Sequence, residues 1–111
     1  MAYPTIQSDL HDEEQLEEGI TLFSIPPHMH NAIRGYVLDH RPVGGFLSSV
    51  LRNDLTTAAF TADAENEIAL GRWAKFIYNH VPSGCHGSPE KVKAWLKDFP
   101  KKERISNVAR G

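Results

Sequence analysis

The chain has almost no cysteine, no long apolar run and very little that alternates in the manner of a strand. A single cysteine, Cys85, excludes an internal disulfide and suits a reducing compartment. No apolar stretch approaches the roughly 20 residues needed to cross a bilayer. The first residues carry acids where a secretory signal would place bases and an apolar core. These absences lead to the expectation of a cytoplasmic protein without a membrane partner. At 111 residues the chain has room for one domain, and small cores often gain stability by self-association, so a homo-oligomer is expected.

Charge is close to balance, at −2, but it is polarised along the chain. Residues 1–19 hold Asp9, Asp12, Glu13, Glu14, Glu17 and Glu18 with no base, and they show neither helical nor strand periodicity. They read as a flexible acidic arm. After Ser88 the balance reverses through Lys91, Lys93, Lys97, Lys101, Lys102, Arg104 and Arg110, and residues 101–111 read as a flexible basic tail. Between them, residues 20–100 form the expected helical domain.

Within that domain Ile20–Ile25 is the one segment of strand-like composition. Pro26-Pro27 then opens a helix, because proline at a first helical position loses no hydrogen bond. Met29, Ile33, Tyr36 and Val37 follow at helical spacing as far as Asp39. Gly44-Gly45 leads into a short helix over 46–52 with Phe46, Leu47, Val50 and Leu51 on its buried side. Asn53-Asp54 reads as a cap for a third helix. Its stripe runs Leu55, Ala59, Ala62, Asn66, Leu70, Trp73, Ile77 and His80, a rod of roughly 40 Å if unbroken. Thr61 and Asp63 are weak helix formers, and a break is expected near 61–63 if the rod is interrupted. Ser88-Pro89-Glu90 starts the last helix, with Val92, Trp95, Leu96 and Phe99 buried and Pro100 ending it. The fold class expected is mainly α, a compact bundle of about four helices around one long central helix.

Several residues are candidates for chemistry. Asn66 interrupts an apolar stripe one turn after Asp63, and a buried amide needs a partner, either a neighbouring backbone or a polar ligand. Glycine precedes a helix start twice, at Gly44-Gly45 near Arg41 and at Gly84-Cys85-His86-Gly87-Ser88, where free N–H groups suit an anion as well as water. Cys85 beside His86 invites a nucleophile reading, against the plainer one of a small half-buried side chain. The spacing from Cys85 to Lys91 does not make a phosphatase loop, which requires arginine for bidentate phosphate binding. His28 and His30 diverge on a helix, and no spacing of histidine and cysteine matches a metal motif, so neither metal nor cofactor is expected. Nucleic acid is an unfavoured partner for a nearly neutral chain without a basic recognition helix.

The central pattern runs Ile25-Pro26-Pro27-His28-Met29, Gly44-Gly45-Phe46-Leu47, Val50-Leu51, Asn53-Asp54-Leu55, Ala62-Asp63, Asn66, Phe76-Ile77-Tyr78-Asn79, Pro82, Cys85, Gly87-Ser88 and Trp95. It resembles a family of short uncharacterised proteins of tailed phages and prophages over residues 25–96, with His86 standing where that pattern carries tryptophan. The resemblance implies a viral accessory protein, and small proteins of this kind often counter host immunity. Three functions follow as expectations. The first is a sponge that sequesters a small phosphorylated, nucleotide-like signal of the Thoeris or CBASS type. Its ligand would lie between Asn53, Asp54, Asp63, Asn66 and the 84–88 helix start, with Arg41, Gly44, Gly45, Asn79, Cys85, Gly87 and Ser88 contributing and Trp73 or Tyr78 stacking on a base. The second is an inhibitor that blocks a host defence protein, in the manner of an anti-CRISPR. The third is a small hydrolase using Asp63 with His80 or Cys85 with His86.

Overall fold

The structure, a computed structural model, describes residues 8–99. Seven α-helices fill that span: α1 Ser8–Leu22, α2 His30–Asp39, α3 Gly45–Leu51, α4 Leu55–Thr61, α5 Ala64–Ile68, α6 Leu70–His80 and α7 Pro89–Leu96. Single 3-10 turns at Pro27–Met29 and Ser83–Cys85 lead toward α2 and α7. There is no strand among the described residues. The basic tail and Pro100 lie outside the described residues, as do residues 1–7 of the acidic arm.

The rest of that arm is not loose. Residues 8–19 belong to α1, which drives Leu16 and Ile20 into the core at 0% and 4% exposure. Its few apolar side chains form no broad stripe, which is why helical periodicity is invisible in the sequence. Tertiary contacts supply what local pattern does not. Arg34 of α2 grips Glu17 with two N–H donors at 2.6 and 2.8 Å, and this hydrogen-bonded guanidinium holds the Glu17 carboxyl below its ordinary range. A half-exposed pair of this kind contributes under about 1 kcal/mol, so it orients α1 more than it stabilises it. The His80 ring donates from Nδ1 to the Gln15 carbonyl at 3.1 Å, and it stacks on Phe76 while Phe23 meets its edge.

Ile20–Ile25 is not a strand either. Ser24 adopts a left-handed conformation at φ 49°, with Ile25 N–H bonded to the Ile20 carbonyl at 3.1 Å and Ser24 N–H to Thr21 at 3.2 Å. This is the paired-bond C-terminal motif that normally uses glycine, and both Ile20 and Ile25 are buried. A serine in the glycine position hides the helix end from a sequence reading. The end of α3 repeats the device: Asn53 is left-handed at φ 68°, Asp54 N–H bonds Ser49 at 2.8 Å and Asn53 N–H bonds Val50 at 3.1 Å.

The long third helix is three helices. Ala62 and Asp63 are extended, and Asp63 then accepts the Asn66 N–H at 2.8 Å as the N-cap of α5. Ala69, at φ −89° and ψ 7°, joins α5 to α6. Each interruption resets the helical phase, so the residues of the stripe do not share a face. Trp73 and Ile77 are buried, whereas Leu55 is 66% exposed and Ala58, not Ala59, faces inward. In α2, α3 and α7 the expected inner faces hold at Ile33, Tyr36, Val37, Phe46, Leu47, Leu51 and Val92. Phe99 departs from expectation: it stays 39% exposed, with the Arg41 guanidinium 5.8 Å above its ring.

Core aromatics lock the layers together. Trp73 is fully buried and meets Phe46 and Phe76 edge-on at 5.8 and 5.9 Å. Tyr36 donates its hydroxyl to the Cys85 carbonyl at 2.6 Å, and Trp95 donates its indole N–H to the Tyr36 carbonyl at 2.7 Å. His40, left-handed at φ 61°, stacks on Trp95 at 3.9 Å and donates to its carbonyl. No helix of the described residues is long and apolar enough to cross a membrane.

At Gly19 α1 packs closely against α6. A Cβ there would lie 2.5 Å from His80 Cγ and 2.7 Å from Phe76 Cδ1. Gly19→Ala gains about 1 kcal/mol of helix propensity but collides with a stacked ring pair, and such overpacking costs about 1–3 kcal/mol. The variant is expected to be less stable in urea titration; a raised midpoint would show that α1 can slide away without loss.

Candidate functional site

Most of the polar words at the helix boundaries are engaged with their own backbone. Asp54 caps α4 by accepting the Thr57 N–H at 3.2 Å. Ser88 caps α7 by accepting the Lys91 N–H at 3.2 Å, with Pro89 at the first helical position. Asp63 serves α5 and also accepts from His28 Nε2 at 2.8 Å, while His28 Nδ1 lies 3.1 Å from Glu65. The Asn66 N–H and the His28 hydrogen bond together lower the Asp63 pKa. Asn79 donates to the Lys75 carbonyl at 2.8 Å.

Asn66, 2% exposed, accepts the indole N–H of Trp73 at 2.9 Å. That bond explains the misfit in the apolar stripe: the largest core side chain carries a polar atom that needs a partner. Full burial among Phe46 and Phe76 leaves Trp73 no free face on which a ligand could stack. Arg41 pairs with Asp39 at 3.3 Å and covers Phe99. Gly44 and Gly45 lie in open space with ordinary negative φ at the Gly44 cap, and nothing in the structure explains why both are glycine.

Cys85 is fully buried, and its thiol donates to the Pro82 carbonyl at 3.2 Å. Burial, with the nearby charge of Asp12 adding to it, pushes its pKa up to about 12, the reverse of what a nucleophile needs. The other proposed pair does not meet, since Asp63 is held by His28 and His80 by the Gln15 carbonyl. Among the described residues no group of three histidine, cysteine or acidic side chains is arranged to hold a metal ion.

A cleft of about 440 Å³ lies where the end of α3 and the helices α4 and α6 meet the start of α7. The Gly87 N–H donates to the Leu51 carbonyl at 2.8 Å, and this long-range bond brings the α7 start to the α3 end. Gly87 makes the connection at φ 111°, a conformation that other residues rarely adopt. Val50, Ala58, Leu70, Ala74 and Ile77 supply an apolar wall, and Leu55 and Tyr78 stand at 66% and 80% exposure beside it. Asn53, Asp54, Ser83, His86 and Lys91 contribute polar groups. Of the sequence candidates, therefore, Asn53, Asp54, Tyr78 and Gly87 come together here. Arg41, Gly44, Gly45, Asp63, Asn66, Trp73, Asn79, Cys85 and Ser88 do not line the cleft.

Ser83, His86 and Lys91, in and beside the 84–88 helix start, also line the cleft, and their meeting with Asn53 and Asp54 goes with the Gly87–Leu51 bond across 36 positions. Burial lowers the His86 pKa, and the Lys91 charge adds to the effect against the opposing Val81 carbonyl, so the ring is neutral at pH 7. Its Nε2 is shielded from solvent with no hydrogen-bond partner. Comparison with protein-family models, curated proteins and solved structures finds no match for the chain.

Two measurements check these assignments. Asn66→Leu leaves the Trp73 N–H buried without an acceptor and is expected to cost about 1–3 kcal/mol in chemical denaturation; unchanged stability would refute the role given to the amide. Native Cys85 is expected to react with a disulfide reagent only as fast as the protein unfolds, and immediate stoichiometric labelling would contradict its burial.

Proposed function

We propose that the protein is a non-catalytic binder of a small nucleotide-like molecule, which it takes into the cleft beside Tyr78 and thereby sequesters. The observation that carries this reading is the form of the cleft. Small-molecule sites are concavities of roughly 300–1,000 Å³ with mainly apolar walls and a few polar groups, and this one combines 440 Å³ with the apolar faces of α4 and α6. Tyr78 presents an exposed ring for a flat base to stack against. The Asn53 amide and the Ser83 hydroxyl stand at the cleft to fix orientation. The burial of the Cys85 thiol, and the engagement of Asp63 with His28 and of His80 with the Gln15 carbonyl, speak against the two hydrolytic pairs. In the phage setting that the sequence pattern implies, such a binder would withdraw a nucleotide immune signal from its host effector.

Calorimetry of the pure protein against adenine and guanine nucleosides, nucleotides, ADP-ribose and cyclic dinucleotides tests this. At least one is expected to bind in the low micromolar range or tighter, and Tyr78→Ala is expected to weaken it about tenfold, in line with 1–3 kcal/mol for base stacking. No binding tighter than tens of micromolar across the panel would overturn the reading.

A second reading, a surface that blocks a host defence protein or joins a second copy of this chain, is favoured by one observation. Phe60 and Ile68 are 84% and 77% exposed on α4 and α5, outside the cleft, and large exposed apolar groups mark protein contacts when they cluster. Sedimentation equilibrium of the wild type and a Phe60→Ser/Ile68→Ser variant separates the cases. A dimer lost in the variant, with no ligand bound by either, would favour the protein surface.

A further inference from the structure

Resting on the reading of the cleft as a ligand site, we infer that its ligand carries one phosphate-like group held by Lys91, and that the cleft selects a mononucleotide over ligands bearing two phosphates. Among the described residues that line the cleft, Lys91 is the one cation and Asp54 the one carboxylate. Lys91 has no ion-pair partner among the described residues; its ammonium reaches only the Ser83 carbonyl, at a long 3.4 Å. It is thus an exposed charge at the mouth of a mostly apolar concavity, where an anion would replace a weak bond with a charge-assisted one.

The opposite side of the charge balance sets the limit. Asp54 is held as the carboxylate by the Thr57 donor that it caps, which lowers its pKa, with the charge of Arg52 adding to the effect. A second phosphate inside the cleft would therefore face a fixed negative group and no further cation among the described lining residues. Neutral His86 adds no positive charge at pH 7. The backbone donors that often bind a second phosphate are also engaged, Gly87 N–H with Leu51 and Lys91 N–H with Ser88.

The test compares adenosine, AMP and ADP-ribose, with guanosine and GMP in parallel, by calorimetry on the full chain as wild type, Lys91→Gln and Lys93→Gln. Lys93 is exposed on α7 and does not line the cleft, so its loss controls for general electrostatics. Wild type is expected to bind the monophosphate about tenfold more tightly than its nucleoside, with the advantage falling as salt is raised. Lys91→Gln should abolish the advantage while leaving nucleoside affinity unchanged, and Lys93→Gln should retain it. Equal affinity for nucleoside and monophosphate in the wild type, or an advantage that survives Lys91→Gln, would overturn the role of Lys91 while the cleft reading stands. ADP-ribose binding more tightly than AMP would overturn the one-phosphate limit. Binding of none of the five would overturn this inference, and the reading beneath it falls as well if the cyclic dinucleotides also fail to bind.

Discussion

The indole N–H of Trp73 imposes the constraint around which this molecule is arranged. Trp73 is the largest fully buried side chain, and it sits among Phe46 and Phe76 where no water reaches it. Leaving its N–H unpaired would cost about 1–3 kcal/mol, a large part of the stability of a small domain. The acceptor comes from Asn66, seven residues earlier, which a straight helix would set about 10 Å away along its axis; with the irregular joint at Ala69 between them the two side chains meet at 2.9 Å. The rod is divided on both sides of Asn66: Asp63 caps the new start of α5, and His28 ties that cap to the turn before α2.

Division of the rod also creates the cleft. Freed from the phase of α6, α4 turns Ala58 inward and leaves Leu55 standing beside Tyr78. The small Ala58 and Ala74 side chains fail to fill the space between the two helices, and Val50 and Ile77 wall it. Its polar members arrive for other reasons. Asp54 and Asn53 end one helix and start the next, and Gly87 carries the chain back to Leu51, bringing Lys91 with it. Groups whose first task is to satisfy the backbone thus come to edge a concavity, and those with capacity to spare are the Asn53 amide, the Ser83 hydroxyl and the Lys91 ammonium.

Much of the local structure was legible because it is written in short-range chemistry. Asp54 and Ser88-Pro89 announce helix starts through side chains that accept N–H groups three residues on, and the inner faces of α2, α3 and α7 follow from apolar spacing. Helix α1 was hidden because its acidic surface masks two buried positions, Leu16 and Ile20, and because Ser24 ends it in place of glycine. Composition suggested a loose arm; contact with α6 through Gly19, and with α2 through Glu17, makes it part of the core.

Sequence by itself determined a mainly helical chain, where most of its helices begin, and that Asn66 had to find a partner, since each of these depends on neighbours within about a turn of helix. Only the tertiary structure decided that the partner was Trp73, that the acidic segment packs, and that Asn53, Asp54, Tyr78, His86 and Lys91 share one cleft. The reason lies in range. Caps and apolar stripes act between adjacent turns, whereas a cleft is made by contacts such as Gly87 to Leu51, whose energy appears only once the distant segments have met.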